Sequence, residues 1–128
     1  MRSTTINPSD GIYPATSDYV HAMEVSQAQR LLFISGTMGL DASGAAPDSL
    51  DEQLTLIWAN LRRILKEAGM STQNIVRLTS YLRDTAYAQA NQDARLKALG
   101  DRRVPTTAIV VQTLDPSWLV EIEAIAAG

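Results

Sequence analysis

Glu121 and Glu123 lie two residues apart in Leu119-Val120-Glu121-Ile122-Glu123-Ala124-Ile125-Ala126, a stretch that alternates and is rich in β-branched residues. In a strand, residues at that spacing share a face, so the two carboxylates stand beside Leu119 and Ile125. On a solvated face they are edge charges. On a face that meets another subunit they must be paired or serve a site, because an unpaired buried charge is costly. Other reactive groups are scarce. The one histidine, His21, cannot alone run a two-histidine cleavage of RNA. There is no cysteine, which excludes disulfides, thiolate catalysis and cysteine-based metal sites. No cluster of histidine and carboxylates has metal-ligand spacing, so neither a metal nor another cofactor is expected.

Length and composition set the frame for these groups. The 128 residues suit one domain, spanning 1–128, that can bury a core without staples. The first residues lack the apolar run of a signal peptide, and no later run reaches membrane-spanning length. A cytoplasmic protein without membrane contact is the expectation. Net charge is −3, and the only basic pairs are Arg62-Arg63 and Arg102-Arg103. A nucleic-acid partner is therefore not expected.

The elements that must position the carboxylates can be read in order. A short strand near Thr4–Ile6 precedes a loop over 7–18. Tyr19–Ser26 and Leu31–Gly36 suggest a hairpin whose second strand is apolar on both faces and hence central. Ser49 and Glu52 have capping-box spacing, and an apolar stripe then predicts a helix over roughly 50–68, stopped by Gly69. Trp58 beside that stripe is expected as core filler. A strand over Ile75–Leu82 follows, with Val76, Leu78, Ser80 and Leu82 on one face and Ile75, Arg77, Thr79 and Tyr81 on the other. Asp84-Thr85 opens a helix over about 86–99, and Arg102 and Arg103 are expected as solvated charges on the connector after it. Strands over 106–113 and 119–126 close the chain. The order is β-ββ-α-β-α-β-β, an α+β fold in which two helices cover one face of a mixed sheet of about six strands. The open face should be buried in an oligomer.

The motifs in this order resemble those of the Rid proteins, the reactive-intermediate deaminases also called L-PSP endoribonucleases. Ser35-Gly36-Thr37-Met38-Gly39-Leu40-Asp41-Ala42-Ser43-Gly44 is similar to the family's SGQ-hydrophobic-P-x-D-x-x-G segment. Glu52-Gln53, Asn60-Leu61, Leu65 and Ala68-Gly69 match its first helix, and Ile75–Asp84 its next strand. Asn91 stands at the family's second-helix asparagine, and Val120-Glu121-Ile122-Glu123-Ala124 matches the closing signature. The match covers roughly residues 19–127.

The resemblance implies a chorismate-mutase-like fold and a homotrimer whose open sheet faces form a central barrel, with ligand clefts at the subunit boundaries. It implies a small carboxylate-bearing enamine or imine that hydrolyses to a 2-keto acid and ammonia. By motif position, Tyr19 would line the cleft, Ser35 and Gly36 would contact the ligand through their backbone, and Asn91 would shape the pocket. Glu121 would hold or activate water, while Glu123 would be structural, paired with an arginine such as Arg77. One motif departs from the pattern. In deaminating members an arginine after a proline grips the substrate carboxylate, whereas this chain reads Pro105-Thr106-Thr107-Ala108-Ile109. Thr106 or Thr107 takes the arginine's place, depending on where a one-residue gap falls. Threonine donates one neutral hydrogen bond and cannot neutralise a carboxylate. The expected function is thus hydrolysis of an imine, enamine or related metabolite other than 2-aminoacrylate or 2-iminopropionate. The alternatives are a non-catalytic metabolite-binding trimer and, disfavoured by the acidic charge and lone histidine, an endoribonuclease.

Overall fold

The computed structural model describes residues 1–128. Strands β1 (Arg2–Ile6), β2 (Ala22–Ser26) and β3 (Leu31–Met38) precede helix α1 (Leu50–Glu67). Then come β4 (Ile75–Leu82), α2 (Ala88–Leu99), β5 (Thr106–Val110) and β6 (Val120–Ala127), the element order expected from the sequence. The single six-stranded sheet is not formed. The strands divide into a four-stranded sheet, β3-β6-β4-β5, and a separate antiparallel ladder of β1 and β2.

The reason lies in residues 27–30. Gln27 takes a positive φ of 57°, which turns the chain away from a β2–β3 hairpin. The amides of Gln29 and Arg30 then donate to the Gly128 carbonyl, at 3.2 and 2.9 Å, and commit β3 to the last strand. Arg30 also donates through Nη1 to the carbonyl of Ala68 at the end of α1 (2.8 Å).

Strand β6 is therefore central, antiparallel to both β3 and β4, and β5 extends the sheet parallel to β4. Val120, Ile122, Ala124 and Ala126 are buried beneath the helices, while Glu121, Glu123 and Ile125 on the other face are half-buried. On α1, Leu54, Ile57, Leu61 and Leu65 recur every three or four residues and, with Trp58 beside them, meet this apolar face. Ser49 caps the helix by accepting the Glu52 amide (3.3 Å), and Gly69 ends it with φ of 71°.

One residue of α1 ties the helix to β6 directly. Gln53 is buried, with Nε2 donating to the carbonyls of Pro47 (2.8 Å) and Ser117 (2.7 Å). Its Oε1 accepts the amide of Leu119 at 3.0 Å. A buried amide so satisfied fixes the point where β6 begins, two residues before Glu121.

Arg102 and Arg103 are not solvated charges. Arg102 donates to the carbonyls of Thr72 (3.0 Å) and Ile75 (2.9 Å), and burial lowers its pKa. Arg103 donates through Nε to Ser17 (2.8 Å) and through Nη1 to Gly100 (2.9 Å). Both act as staples between segments distant in sequence. Ile75 also departs from expectation. Between Ile75 and Arg77 the β4–β6 register slips by one residue, a β-bulge that turns Ile75 into the core opposite Ala126.

Candidate active site

The open face of the sheet carries three strands of polar side chains in register. Tyr81 of β4 and Met38 of β3 flank Glu121, Thr79 flanks Glu123, and Arg77 flanks Ile125. Thr107 of β5 lies across from Thr79 on the far side of β4. The parity of β6 thus brings both carboxylates to the helix-free face.

Their surroundings separate their roles. The Tyr81 hydroxyl donates to Glu123 Oε1 at 2.5 Å. That bond, with burial and the charges of Glu123 and Glu121 behind it, pushes the Tyr81 pKa up. Glu123 is therefore engaged by a phenol rather than by Arg77, the partner expected from sequence. Glu121 accepts no hydrogen bond from the chain. Its carboxylate lies across Gly36, where an added Cβ would come within 2.0 Å of Oε2 and 2.8 Å of Cδ. The opening exists because β3 and β6 slip register between Ile34 and Thr37, a bulge at Ser35-Gly36. Glutamate, bulge and glycine make one arrangement: the ladder opens, the side chain at its edge is absent, and the carboxylate occupies the gap.

A hollow of about 320 Å³ opens beside this arrangement, lined by Tyr81, Val111, Gln112, Thr113, Glu121 and Glu123 among others. Arg83 holds its rim by donating to the carbonyl and hydroxyl of Thr113, at 3.0 and 2.9 Å. A second hollow of about 350 Å³ adjoins it through Glu123 and is lined by Phe33, Arg77, Thr79 and Ile125. Both lie within the range of small-metabolite sites. No group of three or more histidine, aspartate or glutamate side chains is arranged to hold a metal ion, and no helix is long and apolar enough to cross a membrane.

The remaining residues singled out from sequence lie elsewhere in the chain. Tyr19 sits in the turn before β2, its ring edge-on to His21 at 5.9 Å between centroids. His21 in turn has Nε2 at 2.8 Å from the Tyr13 carbonyl. Asn91 is buried on α2 with Oδ1 unpartnered. One turn further along α2, Arg95 pairs with Asp18 at 2.8 Å and anchors the turn that bears Tyr19. Tyr19 and Asn91 thus belong to the α2 side, and neither lines the Glu121 hollow. The two threonines also divide. Thr106 pairs with buried Leu78 and donates to the Val104 carbonyl (3.0 Å), whereas Thr107 faces the open side and accepts from Arg77 Nη2 at 2.9 Å. Tyr81, Gln53 and the Arg77–Thr107 contact did not emerge from sequence reading. The alternation of β4 placed Arg77, Thr79 and Tyr81 on one face, and it was the only signal available for them.

A mixed sheet covered by two helices on one side, with a pair of carboxylates and a bulged Ser-Gly on the other, defines a class already suggested by the motifs. The model of the family described as Endoribonuclease L-PSP matches residues 12–128. The chain belongs to this family, that of the Rid and YjgF proteins. The 2-iminobutanoate/2-iminopropanoate deaminase of Mus musculus is 34% identical over 128 residues, covering 97% of this chain and 87% of its own. A RutC family protein of Pyrococcus horikoshii is 28% identical over 102 residues, covering 78% of this chain and 81% of its own. Among solved structures, the Rid family protein YyfB from Yersinia pestis superposes with a TM-score of 0.85 at 30% identity, covering 100% of both chains.

Proposed function

We propose that this protein hydrolyses a small imine or enamine to a carbonyl compound and ammonia, as a homotrimer with its sites at the subunit boundaries. The observation that carries the reading is the unpartnered Glu121 carboxylate over Gly36, beside the Tyr81–Glu123 pair. Deamination by the relatives whose names state it supports the same chemistry. Water held by Glu121 adds to the imine carbon as the carboxylate takes its proton, and the C=N electron pair moves to nitrogen. Glu121 delivers that proton to nitrogen, giving the carbinolamine. It then takes the hydroxyl proton as C=O forms and passes it to nitrogen as the C–N bond breaks and ammonia leaves.

Two observations support an assembly. Phe33 is 71% exposed, Leu31 58% and Ile109 45%, an apolar cover too large to leave in water around a polar centre. Tyr19 and Asn91, site residues by the resemblance, also stand on the α2 side, away from Glu121, so a composite site would be completed by a neighbouring copy. RNA cleavage is not favoured. The one histidine is engaged with the Tyr13 carbonyl and ring, and the net charge of −3 repels a polyanion.

The test is ammonia release from 2-iminobutanoate and from a panel of aliphatic, aromatic and neutral imines generated in situ, with mass by light scattering. Accelerated release from at least one, and a mass near three times 13.9 kDa, are expected. No acceleration with any member sinks the hydrolase reading, and ligand-induced thermal stabilisation without turnover replaces it with a binding protein.

Gly36→Ala offers a finer check. The clash is with the mobile end of a side chain, so the carboxylate swings aside and stability falls by less than about 1 kcal/mol. Displacing the catalytic oxygen by an ångström or more should lower kcat on the order of 10–100-fold. A variant with wild-type kcat would separate Glu121 from the chemistry.

A further inference from the structure

We infer that Arg77, set by Thr107, is the carboxylate-binding group of this site, so that the cation expected on β5 is supplied instead from β4. The inference rests on the hydrolase reading for its substrate, but its chemistry can be tested separately. It begins from the contrast between Arg77 and the other arginines of the interior. Arg83, Arg95, Arg102 and Arg103 are committed to backbone carbonyls, and Arg95 also to Asp18. Arg77 makes one hydrogen bond, from Nη2 to the Thr107 hydroxyl, and no carboxylate lies within 4 Å of it. A guanidinium carries five N–H donors, so four remain to be used.

Its position is equally specific. Thr107 occupies the open-face position of the Pro105-Thr106-Thr107 segment, while Thr106 faces the helices and bonds to Val104. The Thr107 hydroxyl thus draws the Arg77 fork forward from the Ile125 row to the Thr79–Glu123 row. From there Glu121 is one row further on and one to two strands across, on the order of 10 Å between backbones. A 2-imino acid, a bound water and the Glu121 side chain together bridge that span. The fork opens on the 350 Å³ hollow, whose Phe33 and Ile125 offer an apolar wall to a short alkyl chain. The neighbouring carboxylate, Glu123, is held by Tyr81 and does not neutralise Arg77. The substrate class that fits is a small aliphatic 2-imino acid with an ionised carboxylate, bound as a charge-assisted fork. Thr107 is then a positioning residue.

The experiment compares wild type with Arg77→Gln, Arg77→Lys and Thr107→Val. It measures binding of 2-oxobutanoate and of the neutral 2-oxobutanamide by calorimetry, hydrolysis of 2-iminobutanoate, and mass by light scattering. Arg77→Gln should weaken 2-oxobutanoate binding and raise KM on the order of 10–100-fold, with 2-oxobutanamide affinity unchanged. Arg77→Lys should fall between, because an ammonium restores charge without the fork. Thr107→Val should raise KM several-fold and leave kcat near wild type, a split that a general loss of structure would not produce. Unchanged 2-oxobutanoate affinity in Arg77→Gln overturns the inference, as does an equal loss for the amide. So does dissociation of the assembly with KM preserved, which would make Arg77 an interface residue. Arg77-dependent binding of 2-oxobutanoate without imine turnover upholds the anion site while the hydrolase reading fails. If wild type binds neither compound nor turns over, both fall.

Discussion

Glu121→Gln is expected to lower kcat for imine hydrolysis by about two to four orders of magnitude, the usual worth of a positioned general acid–base. The substitution keeps volume and shape and removes only the ability to take and return a proton. Folding should be little affected, because Glu121 accepts no hydrogen bond within the chain and its neighbour Gly36 already makes room for the side chain. The loss should appear equally in kcat and kcat/KM, since the proton moves in the transition state and not on binding. Glu123→Gln is the matched control. Its Oε1 can still accept from the Tyr81 hydroxyl, so less than about a tenfold change in kcat is expected. Ammonia release and scanning fluorimetry on the same preparations separate chemistry from stability. A Glu121→Gln enzyme within twofold of wild type, or a larger loss in Glu123→Gln, would reverse the roles assigned to the two carboxylates.

Why those roles could be suspected from sequence, and Arg77 could not, is a matter of range. The alternation of Leu119–Ala126 and the Ser49 cap are local signals, decided by residues within a turn or a strand of each other. They located β6, its two faces and α1. What escaped reading depends on pairing between distant segments. The bulge at Ser35-Gly36 exists only because three residues of β3 advance against two of β6. The slip before Arg77 likewise moves Ile75 from the open face to the core through its register with Ala126. The two-stranded ladder of β1 and β2 follows from Gln27 and from the claim of Gly128 on residues 29 and 30, 98 or more positions apart in sequence. Gln53, a polar residue in the first turn of a helix, reads as solvated until Ser117 and Leu119 come to it. At Pro105-Thr106-Thr107 the absence of the arginine that the resemblance implies is legible as a loss. Its compensation on β4 is not, because the Arg77–Thr107 contact crosses a parallel pair joined through all of α2.

Asp18→Ala should cost about 3–5 kcal/mol and lower Tm by roughly 10–20 °C, because it strands a buried guanidinium. The Arg95 side chain is 5% exposed and that of Asp18 16%, and they meet at 2.8 Å. Arg95 also donates to the Asp18 carbonyl at 2.6 Å, while its Nε has no partner and no solvent. With the carboxylate gone, nothing nearby neutralises the charge. Replacing both residues, in Asp18→Ala/Arg95→Met, should recover much of the loss, since the penalty is that of an unpaired ion and not of a missing contact. The pH dependence has a fixed sign. Burial works against the Asp18 charge, but hydrogen bonds from Thr16 and Arg95 and the Arg95 charge outweigh it, holding the carboxyl below its ordinary value. The unfolded chain then binds the proton first as pH falls, so this contribution is present above the ordinary carboxylate pKa of about 3.9 and is lost below it, through the lower folded value. Thermal melts from pH 3 to 7 should show a steeper acid decline in wild type than in Asp18→Asn, and coincident slopes would dismiss the pair as a source of stability. In the proposed trimer, where Tyr19 of one copy meets Glu121 of the next, the effect would reach the site through one peptide bond. Tyr19 follows Asp18 in the turn that Arg95 holds against α2, so loosening that turn should raise KM even where the protein remains folded. A variant that is destabilised with KM unchanged would remove Tyr19 from the ligand's surroundings and leave the Asp18–Arg95 pair a purely structural clamp.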